Sequence, residues 1–373
     1  MKKIFGSESW RLASDKVEAF ITKSGHLGPV TFQLPRQRIQ PYAIAPWAEE
    51  KLPVGSPAVL NALRGDFFCM PFGANARSWR GEQHPLHGEP AGGAWRIESA
   101  RRTAGGAEFV AVLRPRVRPG LIRKRLSLVD GQTVVYCRHE LSGFAGPMCL
   151  GHHAMLQFPE KEGSGRIAVS PIRFGQVNPE PIESPAAGGY SALKVGAPFR
   201  SLSRVPLAEG GFADLTRYPA RAGYEDLVMV SSRPAPLAWT TVAFPEQGYL
   251  WFALKDPRTL ASTVFWHSNG GRHYAPWSGR HRGVLGLEEV TAYFAHGLAE
   301  SAAPNSVSRR GIPTALRLSP KTTLAVNYLM GVAPISRNFD LVRGVTFGKS
   351  SIEFSDGRGH RVRRAVDLDF FRF

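Results

Sequence analysis

No window of about twelve residues, the length at which a helix becomes recognisable, repeats its apolar side chains at helical spacing in this chain. Its 29 prolines and 39 glycines break helices and punctuate hairpins instead. Between them run short segments whose apolar residues alternate: VEAFIT from Val17, VTFQL from Val30, AEFVAVLRPRV from Ala107, IRKRLSLV from Ile122 and TVVYCRHEL from Thr133. The pattern returns in DLVMVSS from Asp226, LAWTTVAF from Leu237, GYLWFALK from Gly248 and STVFWHS from Ser262. LRLSPKTTLAVNYLMGV, from Leu316, reads as two strands flanking a Ser-Pro turn. So many period-two segments without intervening helices predict an all-β fold, a large antiparallel β-sandwich with two sheets packed face to face. No internal repeat of propeller length can be aligned. From Gly163 to Gly211 the periodicity lapses, which predicts a surface excursion or lid. Strands resume on both sides of it, so residues 1–373 are expected to form a single domain.

Lys and Arg outnumber Asp and Glu by 47 to 30, a formal charge of +17. Such a balance favours anionic partners. The densest runs, Arg114 to Arg125 and Arg358 to Arg364, alternate with apolar residues as the outward face of a strand does, and are read as solvated. No zinc-finger, RRM or basic-zipper pattern supports nucleic-acid binding. Cys69, Cys137 and Cys149 lie in apolar strand-like stretches and are too few for a disulfide framework. There is no apolar leader and no long apolar run, so neither a membrane nor an oxidising compartment is expected, and the default setting is cytoplasmic.

Candidate chemistry gathers in four stretches. The first runs from Leu63 to Trp95 and holds Arg64, Asp66 and His87; the second is GHHAMLQF from Gly151, with His152 and His153. The third is VFWHSNGGRHYAPW, Val264 to Trp277, and the fourth LGLEEVTAYF, from Leu285, with Glu288. Aromatic faces beside Arg, His and Asn suit a sugar, whose C–H side stacks while its hydroxyls take directional hydrogen bonds. Trp79, Trp95, Trp266 and Trp277 read equally well as core packing. Two other patterns are set aside. GVTFGKS, from Gly344, is one residue short of a phosphate-binding P-loop and is followed by strand-like SIEFS. His84, His87, His152 and His153 lack the spacing of a metal site.

The order of these stretches, an arginine-bearing turn, a His-Gly, a histidine before an apolar strand and a late Gly-x-Glu strand, resembles the aldose 1-epimerase (galactose mutarotase) family. The resemblance covers roughly Val54 to Val332. It implies a mutarotase-like sandwich that interconverts the anomers of a hexose or hexose derivative and needs neither metal nor organic cofactor. It maps the catalytic base onto Glu288 and the acid onto His153, with His152 the near alternative. Substrate contacts fall on Arg64, His87, His152 and Trp277. The sequence offers no counterpart to the aspartate that binds sugar hydroxyls in many members. A non-catalytic carbohydrate-binding protein of the same fold is therefore the alternative. The net charge adds the option of a phosphorylated or acidic sugar, with Arg272 and Arg280 beside Trp277 as candidate anion holders.

Overall fold

The computed structural model describes residues 1–372, and the alternation read from the sequence becomes two large antiparallel sheets. One sheet has nine strands, in the order Arg217–Tyr218, Gly165–Val169, Ala238–Phe244, Tyr249–Lys255, Leu324–Pro334, Val134–Ser142, Leu121–Val129, Gly106–Leu113 and Arg96–Thr103. The other has seven: Pro198–Phe199, Ile172–Val177, Tyr224–Ser232, Ser262–Asn269, Val284–Thr291, Leu150–Gln157 and Phe68–Cys69. An N-terminal five-stranded meander covers Lys2 to Ile39, and a three-stranded C-terminal sheet covers Val342 to Ala365. Helix is limited to two short α turns, Glu89–Gly92 and Leu298–Ala302, and a few 3-10 turns among the described residues. None of these is long and apolar enough to cross a membrane.

The expected irregular stretch from Gly163 to Gly211 begins differently. Gly165–Val169 joins the nine-stranded sheet and Ile172–Val177 the seven-stranded one, with a register shift between Ile172 and Phe174. Pro171 separates the two, and the bulge breaks the alternation by which such strands are recognised. Only the remainder, from about Asn178, is loop-rich as expected. GVTFGKS forms one strand and the turn of the C-terminal hairpin.

The main core lies between the sheets and under the N-terminal meander. A second cluster, with Phe252, Leu254, Leu329, Ile352 and Phe354, fills the space between the nine-stranded sheet and the C-terminal sheet. The basic run of Leu121–Val129 alternates in burial as expected: Arg125 and Arg123 pair outward with Glu108 and Glu98, while Lys124 turns inward and donates to Gly25 O. The inter-sheet space also holds an ion pair, Lys255 with Glu289. The Lys255 ammonium donates to Ser262 O at 2.6 Å and Thr263 Oγ1 at 2.9 Å, and the Thr263 hydroxyl donates in turn to Glu289 at 2.7 Å. Glu289 receives a further hydrogen bond from Thr240.

Such a pair is costly to break one partner at a time, because the survivor is a charge without solvent. Glu289→Leu is expected to lower unfolding stability by about 3–5 kcal/mol. Lys255→Met combined with Glu289→Leu should recover most of that loss, and urea titration of the two variants checks it.

Candidate active site

The strands Leu150–Gln157 and Val284–Thr291 are paired so that His153 stands opposite Glu288 and His152 opposite Glu289. Successive side chains on a strand point to opposite faces. Glu289 faces the nine-stranded sheet through Lys255, so His152 also points into the sandwich, whereas His153 and Glu288 share the other face. On that face Trp266 follows, being in register with Gly286, and then Leu227, opposite Trp266.

Loops roof this face and enclose a cavity of about 480 Å³. Its lining includes His87, His153, Glu183, Trp266, Arg272, Tyr274, Trp277 and Glu288, with Pro57, Val59 and Leu86 on one side. His153 Nε2 lies 3.1 Å from Glu288 Oε1. Two buried polar atoms of this pair, His153 Nδ1 and Glu288 Oε2, have no hydrogen-bond partner. An unpartnered buried acceptor or donor is costly, and here both belong to residues lining an open cavity. Gly286 makes room for the pair: a side chain there would put its Cβ 2.7 Å from Glu288 Oε1 and 3.0 Å from Trp266 Cβ.

His87 reaches the cavity from the turn before Glu89. Its backbone is left-handed, with φ 59°, an uncommon state for a non-glycine residue. Gly88 follows at φ 75°, where a Cβ would sit 2.0 Å from Met70 O. The tight turn is held by His87 N donating to Gly73 O at 2.7 Å. Gly73 N donates to His87 Nδ1 at 3.3 Å, which assigns the imidazole proton to Nε2. The His87 and His153 rings meet edge to face at 4.9 Å, and Phe67 stacks on His153 at 4.5 Å.

Burial sets the protonation states. It pushes the Glu288 carboxyl well above the usual carboxylate range, with Arg272 opposing it, and pulls His153 well below the ordinary histidine value. His87 is drawn down to about 3 for the same reason. Burial therefore disfavours the charged form of both members of the His153–Glu288 pair.

Arg272 is the one Lys or Arg among the described residues lining this cavity. Glu183 accepts from its Nε, Glu225 lies 3.9 Å away, and its guanidinium rests 4.6 Å from the Trp277 ring and 5.3 Å from Trp266. Tyr274 OH also donates to Glu183, at 3.2 Å. Behind Trp266, Glu225 accepts from Trp266 Nε1 at 2.9 Å and Ser268 Oγ at 2.9 Å, and burial pushes its carboxyl up to about 7. His281, stacked on Trp266, completes this layer through Ser268.

Of the sequence candidates, His87, His153, Glu288 and Trp277 meet in the cavity. Two do not. His152 is fully buried on the other side of its strand, with Nδ1 2.9 Å from Asp66 Oδ2, because adjacent strand residues cannot share a face. Arg64 is fully buried as well. Its guanidinium donates to Ile4 O at 2.9 Å, Phe5 O at 2.8 Å, Ala62 O at 3.2 Å and Ser7 Oγ at 2.9 Å, which ties the N-terminal meander to the core. Neither residue can touch a ligand in this cavity. Of the two anion candidates, Arg272 is already countered by carboxylates, and Arg280 pairs with Glu50 at the surface.

Glu183 and Glu225 escaped the sequence reading. Glu183 sits in the aperiodic NPEPIES stretch, where no pattern marks it. Glu225 did leave a signal, an acid two residues before Leu227 and so on the same face of the strand Tyr224–Ser232.

No family model matches the chain, and no curated protein matches it. Solved structures do. A protein from Escherichia coli K12 provisionally assigned as an aldose 1-epimerase superposes with a TM-score of 0.58 at 13% identity, over 88% of this chain and 100% of that one. A galactose mutarotase-like protein from Lactobacillus casei superposes with a TM-score of 0.54 at 12% identity, over 87% of this chain and 100% of that one. The chain thus has the galactose mutarotase-like β-sandwich fold.

Replacing Arg64 separates the two roles considered for it. Arg64→Leu leaves several buried carbonyls without donors, at about 1–3 kcal/mol for each such group. A fall of several kcal/mol in urea stability with ligand affinity unchanged is the expected result; a loss of affinity at full stability would return Arg64 to the site.

Proposed function

We propose that this chain is an aldose 1-epimerase-like isomerase that interconverts the α and β anomers of a hexose or hexose derivative, and that it folds as one unit. The observation that carries the reading is the His153–Glu288 pair, two titratable groups 3.1 Å apart with unpartnered atoms in a cavity of ligand size. Anomer exchange needs that combination. A base removes the proton of the anomeric hydroxyl while an acid protonates the ring oxygen, the ring opens to an aldehyde, and rotation about C1–C2 before reclosure gives the other anomer.

The form that burial favours has both groups neutral, with one proton shared by the pair and held on Glu288. Sugar hydroxyls entering the cavity supply the hydrogen bonds that burial removed, and this favours transfer of the proton to His153. Glu288 is then the base toward the anomeric hydroxyl and His153 the acid toward the ring oxygen. His87 Nε2–H donates to a neighbouring oxygen, and its fixed tautomer keeps that role constant. Trp266 and Trp277 offer apolar surface for the C–H side of the ring. One side of each is shared with the Arg272 guanidinium, so stacking is limited to the remaining surface.

The test is the approach of a freshly dissolved pure anomer to equilibrium, followed by polarimetry over a panel of aldoses. Glu288→Gln and His153→Asn are each expected to slow the catalysed rate by about 10²- to 10⁴-fold while binding survives. Wild-type protein that binds an aldose yet never exceeds spontaneous mutarotation would instead establish the non-catalytic, carbohydrate-binding reading.

The rate should also report the pair's titration as a unit. The active form carries one proton on the two groups. On the acid side a second proton must enter His153, whose lowered value puts that limb below the ordinary histidine range. On the alkaline side the shared proton must leave Glu288, whose raised value puts that limb well above the ordinary carboxylate range. A broad plateau through neutrality is expected. An acid limb centred at an unperturbed histidine value of about 6.5 would show that His153 is solvated and not held as described.

A further inference from the structure

Beside the sugar cavity lies a second, larger one of about 760 Å³ that the proposed reaction does not use. The two share Pro57, Val59 and Leu86 in their walls, and the consecutive residues His87 and Gly88 line one each. The chemistry of the second cavity is different. Its walls are Ala58, Pro85, Gly92, Gly93, Val112 and Leu113 beside the shared residues, with no aromatic face. Its one acid, Glu89, is already engaged, since its carboxylate accepts the backbone N–H groups of Arg116 and Val117 at 2.8–3.1 Å. A second sugar ring would find few partners there for its hydroxyls, and burying them unpaired is unfavourable.

What the walls lack in hydrogen bonds the far side supplies in charge. Arg96, Arg114 and Arg116 line this cavity and not the sugar cavity. Arg96 meets Glu98 at 3.2 Å, whereas Arg114 and Arg116 have no carboxylate partner among the described residues. Arginine lays its aliphatic stem along an apolar wall and keeps a guanidinium fork free for a carboxylate or phosphate. An aliphatic chain ending in an anion matches both halves of this surface.

We infer that the second cavity holds an aliphatic, anion-terminated substituent of the same ligand whose aldose ring occupies the first. The inference rests on the sugar reading of the first cavity for the point of attachment. A ring that reacts at its anomeric hydroxyl must keep that hydroxyl free at His153 and Glu288, so the substituent leaves from another carbon and crosses the shared wall of Pro57, Val59 and Leu86. The substrate class is then an aldose with a free anomeric centre that carries, on another carbon, an aliphatic acyl or alkyl chain ending in a carboxylate or phosphate.

Calorimetric titration of the full chain with octanoate tests the cavity without reference to catalysis. Saturable binding is expected, at least about tenfold weaker for octanol, which lacks the charge, a contrast set by the charge-assisted contact. Two variants probe the walls: Arg114→Glu with Arg116→Glu reverses the charge at exposed positions, and Ala94→Trp fills the apolar space from an exposed position. Both should weaken octanoate by a similar factor. Absence of saturable binding, or binding indifferent to both variants, overturns the inference. Glucose esterified at its 6-hydroxyl with one end of suberate, leaving the other carboxylate free, should bind more tightly than either octanoate or glucose. If it binds no better than octanoate, the two cavities do not serve one ligand and the inference fails. Polarimetry on glucose reports separately on the sugar reading: the charge-reversed variant is expected to match wild type there, so failure of that reading and failure of this one are distinguishable.

Discussion

The site depends on one register, the pairing of Leu150–Gln157 with Val284–Thr291. It sets His153 across from Glu288 and His152 across from Glu289. Because side chains alternate with period two, a slip of one residue in Val284–Thr291 would turn that strand over and send Glu288 into the sandwich and Glu289 into the cavity. The neighbours make that slip unfavourable. Glu289 has Lys255, Thr240 and Thr263 waiting in the interior, and His152 has Asp66. On the opposite face Glu288 meets His153 at 3.1 Å, and burial weighs against its charge. The same two consecutive residues on each strand thus carry a structural polar pair on one side and a reactive one on the other.

Burial then determines what the reactive pair can be. With Phe67, Phe72, Trp266 and His87 around His153, the pair loses the solvation that would support two opposite charges, and burial works against the charged form of each. Their two unpartnered atoms make the empty site less favourable than a filled one. Arg272, the one Lys or Arg among the described residues lining the cavity, does not alter this, because it is countered by Glu183 and Glu225 and covered by two indoles. A carboxylate kept neutral beside a neutral imidazole is poised to respond to the polarity of whatever enters.

Many of the strands and the antiparallel all-β class were legible because the segments carry a period-two pattern bounded by Gly or Pro. The pattern failed where its physical basis does: Gly165–Val169 and Ile172–Val177 are short and separated by Pro171 and a register shift. His153 and Glu288 were marked by the resemblance to the aldose 1-epimerase family, through a histidine ahead of an apolar segment and a late Gly-x-Glu. The misplacement of Arg64 has a different origin. Which way it points depends on two isolated bridges, Leu27 with Asp66 and Ile44 with Arg64, and on the left-handed Gly65 between them. These are contacts with segments some 20 to 40 residues away, and a local motif holds no record of them. Glu183 was illegible for a similar reason, since its position is defined by Arg272 and Tyr274 on another loop.

The same distance between fold and site governs how far likeness carries. At 12–13% identity the likeness to mutarotase-like structures shows the fold alone, and sandwich folds host unrelated activities. The chemistry has to be read from the residues in the cleft, and here the residues divide the +17 charge unevenly. Many basic side chains at the surface are paired, as Arg123, Arg125 and Arg280 are. The cavity holding His153 and Glu288 contains a cation that is fully countered, and it therefore suits a neutral ring. Beyond the wall it shares, Arg114 and Arg116 stand unpaired over an aliphatic surface. A ligand that is neutral and polar at one end and apolar and anionic at the other satisfies both environments, whereas a simple hexose satisfies only the first.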